Sequence, residues 1–279
     1  MSTPSALWAI PLISLISGAS SPQFISEAFI QTIGNVPLIS AQEKEIANNN
    51  NPSFKQPKYA IKLLAKSLNE WMITVNNQPV FWVKNLPNAA LVVAQLTIAM
   101  NATDFDPHYF EPLVINEEYI GKYRNTILFK IPKSKVVNPS LNLTQWINNL
   151  RVSAGAEPLT LVEAQKQMYQ LAITNEQISG VASWYGPYFQ GRQTASGEQF
   201  EQQDFTAAHP SLPFDTYLKV TNQRNGKSVV VRINDRGPYF ADRNLDLSHA
   251  AAIALNSDEV GVVPITAIVL ASNNLSALP

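Results

Sequence analysis

Residues 178–272 predict a small closed β-barrel, and residues 58–172 predict a small α+β domain ahead of it. The barrel rests on two observations. Short apolar, β-branched runs follow one another with turn residues between them, and a single short helical segment interrupts them. The α+β half rests on a third: strand-like runs there are mixed with segments whose apolar residues recur at helical spacing.

Residues 6–16 are apolar apart from Pro11 and Ser14 and precede Ser17, Gly18 and Ala19. This reads as a signal peptide over 1–22 that lacks a basic start. Residues 23–57, with an Asn run at 48–51 followed by Pro52 and Pro57, have linker composition. Residues 72–75 and 79–83 then predict two strands around Asn76-Asn77, because Asn tolerates the positive φ of a tight hairpin turn. A helix is expected over 88–100, with Leu91, Val92, Leu96 and Ile98 as its apolar residues, and strands are expected at 113–115 and 126–131. Residues 144–150 place Trp146, Ile147 and Leu150 on one helical face, and residues 161–171 predict another helix. Such faces are packing surfaces far more often than ligand sites. Nothing in 58–172 gathers acid, base and nucleophile candidates, so this half reads as a structural or targeting module. Residues 174–177 read as a short hinge.

The barrel half contributes strands at 178–185, 217–221, 228–233 and 265–270, with Asn225-Gly226 as the hairpin signal between the middle two. A helix is expected over 247–255, carrying Ala250, Ala251 and Ala252.

Composition excludes several chemistries. The 279 residues carry a formal net charge of -1, so there is no basic surplus to meet a nucleic acid backbone. The absence of cysteine removes disulfides, thiolate zinc, iron–sulfur clusters and a cysteine nucleophile. With only His108, His209 and His249, neither a metal site nor a cofactor is expected. No later apolar run has the length of a membrane helix.

Polar residues of the barrel half gather in turns at 194–198, 207–210 and 234–238, and loops on a rigid barrel are where reactive groups usually sit. The candidates are Asp235, Asp246, Glu198 and His209. Each has a structural alternative. Asp235 also suits a turn whose side chain bonds backbone amides, and Asp246 suits a helix N-cap. Glu198 also suits a solvated loop, and His209 a structural position before Pro210.

A specific series of motifs occurs in order. It runs from 180–186 (Gly180 to Gly186, through Ser183, Trp184 and Tyr185) to Thr194-Ala195-Ser196-Gly197-Glu198 and Ala207-Ala208-His209. It continues through Leu212-Pro213, Val220-Thr221-Asn222, 231–238 (Val231 to Pro238, through Asn234, Asp235 and Arg236) and Asp246-Leu247-Ser248. Over residues 178–272 this series resembles the rare lipoprotein A family. The resemblance implies a six-stranded double-psi β-barrel related to expansins and to some lytic transglycosylases. The α+β domain ahead of it is similar to the arrangement in cyanobacterial members.

The resemblance also implies a periplasmic or cell-envelope protein acting on peptidoglycan. The expected activity is endolytic lytic transglycosylation, cleaving MurNAc-GlcNAc bonds of peptide-stripped glycan strands to 1,6-anhydromuramyl products. The alternative is a non-catalytic peptidoglycan-binding or expansin-like wall-loosening protein. Implied partners are denuded glycan strands and division-site proteins of the septal ring.

Lytic cleavage uses the muramyl C6 hydroxyl as nucleophile, so one carboxyl that donates and then accepts a proton is sufficient. The resemblance makes Asp235 the leading candidate for that carboxyl, with Glu198 and His209 as the other matched positions. Asp246 matches the Asp-Leu-Ser motif to which related barrels assign proton donation. Trp184, Tyr185 and Tyr239 are candidates for stacking on sugars, with barrel core as the alternative for Trp184. Thr194, Asn234 and Arg236 complete the expected substrate contacts. The chain departs from the family at Gln190, where His is common, and in lacking the lipidated cysteine, which implies no anchor through that residue.

Overall fold

The structure is a computed structural model that describes residues 57–131, 137–239 and 242–272. The expected signal peptide lies outside these residues, as does the linker except for Pro57. The α+β half opens with an antiparallel sheet of β1 (Ile61–Ser67), β2 (Glu70–Val75) and β3 (Gln78–Lys84). Asn76 and Asn77 have φ of 51° and 66°, the left-handed pair that matches the twist of a two-residue hairpin. β1 was not foreseen, because this strand is largely exposed and shows only a short alternation.

Helix α1 (Leu86–Met100) starts two residues earlier than the spacing suggests, where the Asn85 side chain accepts from the Asn88 N–H. It buries Ala89, Val92, Leu96 and Met100. A second antiparallel sheet follows, made of β4 (Phe110–Ile115), β5 (Glu118–Tyr123) and β6 (Thr126–Ile131). Gly121 of β5 is required by packing, since a Cβ there would lie 2.1 Å from the Phe129 ring. Helices α2 (Pro139–Ser153) and α3 (Leu161–Met168) close one core that includes Phe81, Leu96, Phe110, Ile147, Leu150 and Met168. At the start of α3, Thr160 and Glu163 form a reciprocal capping box.

The expected hinge is corrected here. Residues 174–177 lie inside β7 (Leu171–Trp184), one long strand that begins where the α+β half ends. Its early residues pair with the end of β12 (Val263–Ser272), Leu171 opposite Ser272 and Ile173 opposite Leu270. The polar composition that suggested a hinge belongs to a mostly exposed stretch of strand. The helix expected over 161–171 stops at Met168, and Gln170 takes φ 52° and turns the chain into β7.

The barrel adds β8 (Thr206–Ala208), β9 (Tyr217–Asn222), β10 (Ser228–Asp235) and β11 (Leu245–Leu247), and closes in the order β10-β8-β11-β7-β12-β9. β10 with β8 and β11 with β7 are parallel, and the other pairs are antiparallel. This closed six-stranded barrel is the double-psi fold that the motifs imply. Its core holds Leu218, Val220, Val231, Ile233, Leu247 and Ile265. Helix α4 (His249–Ala254) is capped by Ser248, whose hydroxyl accepts from the Ala251 N–H, so Asp246 is not the cap.

Gln165 of α3 joins the halves. It is fully buried, donates to the Val230 carbonyl at 2.8 Å and accepts from the Val230 N–H at 2.8 Å. β8 pairs β10 only from Arg232 onward, so the carboxamide completes the ladder edge that β8 leaves bare. Leu171, Val230 and Leu270 pack beside it with Val162, Tyr169 and Tyr217.

Candidate functional site

Four residues stand in register across adjacent strands: Ser183 on β7, Asp246 on β11, Ala208 on β8 and Asp235 on β10. Their neighbours Ala182, Leu245, Leu247 and Ala207 face the core, so alternation turns Ser183, Asp246 and Ala208 to the outer face, and Asp235 joins them across a register shift that follows the core residue Ile233 in β10. At about 4.8 Å per strand, the two aspartate backbones stand roughly 10 Å apart with Ala208 between them. Both side chains are half-buried.

Asp235 is held by three donors. Its Oδ1 accepts from the Ala195 and Arg236 N–H groups, each at 2.8 Å, and its Oδ2 accepts from the Tyr185 hydroxyl at 2.7 Å. Burial, reinforced by this bond, pushes the Tyr185 phenol well above its usual range, so the phenol remains a donor. A carboxylate offers about four lone-pair sites. Oδ1 is therefore filled, while Oδ2 keeps one position for a proton exchanged with a substrate.

Glu198 sits in a bidentate ion pair with Arg232, with both N···O distances 2.7 Å, and accepts from Asn234 Nδ2 at 3.1 Å. Arg232 also bonds Asp215 at 2.8 Å, and its guanidinium is pushed further up by these carboxylates. The buried Thr194 closes the turn through its N–H and hydroxyl on the Glu198 carbonyl, at 2.8 and 3.2 Å, and Gly197 takes φ 94°. Ser196 N–H meets the Asn234 carbonyl at 3.3 Å. Thr194, Glu198 and Asn234 thus hold the turn that delivers the Ala195 N–H to Asp235. In this geometry Glu198 positions the site, rather than standing free to exchange protons as its catalytic assignment expects.

His209 Nδ1 accepts from the Ser211 and Leu212 N–H groups at 3.1 and 2.9 Å. The neutral ring therefore carries its proton on Nε2, and burial together with the nearby Arg236 charge lowers its pKa. His209 is thus a fixed Nε2–H donor, and its backbone N–H reaches the Asp235 carbonyl at 3.2 Å. Arg236 stacks 3.8 Å from the Phe214 ring centre and donates to the Leu212 carbonyl at 2.9 Å, tying the His209 loop to the site.

Asp246 bonds the Ser183 hydroxyl and pairs with Arg243 at 3.5 Å, while Arg243 donates to Ser183 at 2.7 Å. Arg243 and Ser183 were missed as site residues. Their signals were the three-residue step from Arg243 to Asp246 and the outward place of Ser183 in β7.

The aromatic candidates divide. Trp184 takes the packing alternative: its indole N–H donates to the Asp258 carbonyl at 3.1 Å and its ring stacks on His249 at 4.8 Å. It points to the core side of β7, away from the aspartate row. Tyr185 serves Asp235 through its hydroxyl and packs against Phe189 and Phe200. Tyr239 is 85% exposed, as is Tyr188 at 72%, and the sequence reading did not include Tyr188. Gln190, at the departure from the family, donates to Glu201 at 2.9 Å and accepts from the Gln202 N–H at 2.9 Å, fastening its loop. A cavity of about 1260 Å³ is lined by Glu198 and Asn234 together with Tyr119, Tyr169, Tyr217 and Arg232, and neither Asp235 nor Asp246 borders it.

Residues 177–267 match a family described as lytic transglycolase. Over 146 residues the chain is 49% identical to a Synechocystis protein named probable endolytic peptidoglycan transglycosylase RlpA, covering 50% of this chain and 44% of that protein. The aligned stretch is longer than the barrel and so reaches back into the α+β half. Over 82 residues it is 55% identical to the endolytic peptidoglycan transglycosylase RlpA of Pseudomonas aeruginosa, covering 29% of this chain and 24% of that one. The chain spans less than half the length of these relatives. Among solved structures it is similar to a Streptomyces papain inhibitor, with TM-score 0.30 and 23% identity over 36% of this chain and 97% of the other. An expansin of Clavibacter michiganensis matches with TM-score 0.28 and 25% identity over 34% of this chain and 50% of that one.

Proposed function

We propose that this chain is an endolytic peptidoglycan transglycosylase whose barrel cleaves MurNAc-GlcNAc bonds of peptide-stripped glycan strands. The observation that carries the reading is Asp235, a carboxyl on the outer face of a barrel that matches a lytic transglycolase family, with one Oδ2 position left for a proton.

In this mechanism Asp235 Oδ2 gives its proton to the glycosidic oxygen as the C1–O bond breaks. The carboxylate that results then takes the proton of the muramyl C6 hydroxyl as that oxygen bonds C1, leaving a 1,6-anhydro ring. No water is consumed, and the proton returns to Asp235. The Tyr185 hydroxyl and the Ala195 and Arg236 N–H groups hold the carboxyl throughout. Asp246, on the far side of Ala208, supplies negative charge while positive charge develops on the sugar ring. His209 Nε2–H and the exposed Tyr239 offer a donor and a stacking face to the strand. The same reading assigns the protein to the periplasm or cell envelope and takes division-site proteins as its candidate partners.

The test incubates the full chain with amidase-stripped glycan strands and follows 1,6-anhydromuramyl products by mass spectrometry. A cut at residue 177 would divide β7, so the full chain is the right material. Asp235→Asn is expected to lower product formation by about a hundredfold or more, the usual size of a general acid–base contribution. An unchanged yield in Asp235→Asn with a loss in Asp246→Asn moves the acid to Asp246. Strand binding without product favours the wall-binding alternative.

A further inference from the structure

We propose that Arg192 reads the free lactyl carboxylate of a muramyl residue, and that through it the barrel distinguishes stripped strands from strands bearing stem peptides. This rests on the reading that the substrate is a glycan strand.

The arginines around the site are in different states. Arg232 is paired with Glu198 and Asp215, Arg243 with Asp246 and Ser183, and Arg236 is held by the Leu212 carbonyl and the Phe214 ring. Arg192 is exposed, and its guanidinium has no hydrogen-bond or ion-pair acceptor among the described residues. It is nevertheless held in place. The group lies 3.5 Å from the centre of the Tyr188 ring and 5.6 Å from that of Phe189. Its backbone is fixed by Arg192 N–H on the Phe189 carbonyl at 3.0 Å and by Phe200 N–H on its own carbonyl at 2.7 Å.

This cation is linked to the proposed acid through a short series of rings. Phe189 packs edge-on against Tyr185 at 5.3 Å, and Tyr185 bonds Asp235. A guanidinium stacked on a ring keeps its edge N–H groups free, and that edge is a planar fork matched to a carboxylate. The substrate supplies such a group only in one state. With a stem peptide attached, the lactyl carbon is an amide, which is uncharged and offers a single oxygen. Once the peptide is removed it is a carboxylate with two. Glu198 and Asp246 are already paired with Arg232 and Arg243, and of these four arginines Arg192 is the one whose fork no acceptor among the described residues occupies, so it is the cation left to meet an anionic strand.

The experiment uses the full chain and two preparations of the same stripped strands, one with free lactyl carboxylates and one with these converted to N-methylamides. The wild type is expected to show a KM about fivefold lower on the carboxylate strands, the size of a well-placed exposed charge pair. Arg192→Gln loses that preference through a rise in KM on the carboxylate strands, and Arg192→Lys retains part of it because charge survives without the fork. Thermal midpoints identify any variant that fails to fold, in which case Arg192→Lys decides by itself. The inference is overturned if Arg192→Gln keeps the wild-type preference or if the wild type has none, while anhydro products still uphold the transglycosylase. Where strands bind but no product forms, the transglycosylase reading fails, and the ratio of binding constants tests Arg192 in place of KM.

Discussion

At the scale of single residues, the site depends on which atoms of a side chain are already occupied. His209 shows this most directly: two backbone N–H groups fill Nδ1, so protonating it would place a charged donor against two donors and near Arg236. The consequence for stability has a definite sign. Its folded pKa lies below the ordinary value of 6.5, so the unfolded chain binds the proton first as pH falls. The stabilising contribution of neutral His209 is therefore fully present above about pH 6.5 and is lost as pH falls below it, toward the folded pKa. Thermal midpoints from pH 8 to pH 5 should decline in the wild type and decline less in His209→Gln. Equal slopes would mean that the ring is not held as an acceptor. Tyr185 carries the complementary lesson: the motif marked it as a sugar-stacking ring, but the function of its hydroxyl depends on Asp235, fifty residues away in the chain.

At the scale of elements, the site is assembled by strands too short to leave a pattern. β8 and β11 have three residues each, which is less than two full periods of alternation, and neither stands out in the sequence. They nonetheless place Ala208 and Asp246 in the row that ends at Asp235. The longer elements were legible because they repeat: the Asn76-Asn77 hairpin, the strand at 228–233 and the helix around Ile147 all announce themselves through spacing or turn chemistry. The motifs also brought forward Asp235, Asp246, Glu198 and His209, but not which of them would be ion-paired. Gln165 marks the limit of such reading, since within α3 it is simply a polar residue on a short helix. In the fold it replaces a strand at the edge of β10. Gln165→Ala should cost about 2–4 kcal/mol, because both the N–H and the carbonyl of Val230 lose their partner in a buried place. Urea denaturation measures the loss, and a cost below about 1 kcal/mol would show that neighbouring groups or water satisfy Val230 instead.

At the scale of the molecule, the described residues belong to one compact unit. The strand β7 runs through both halves, and Leu171, Val230 and Leu270 pack at their junction. The halves should therefore unfold together, in a single transition. Trp146 reports on the α+β half and Trp184 on the barrel, so urea midpoints from chains retaining one or the other tryptophan should coincide. Two separated midpoints would show that the junction does not couple them. Among the described residues no helix is long and apolar enough to cross a membrane.

The sequence alone determined the classes of the two halves, the turns that require Asn or Gly, and the ordered motifs that mark the barrel and its carboxylates. These are local properties, set by side-chain period, by backbone freedom at a few residues and by residue types at fixed spacing. Tertiary structure alone decided that the supposed hinge is a strand, that Trp184 belongs to the core side and that Glu198 is locked to Arg232. Each of these depends on a partner far away in the chain, brought close only when the barrel closes.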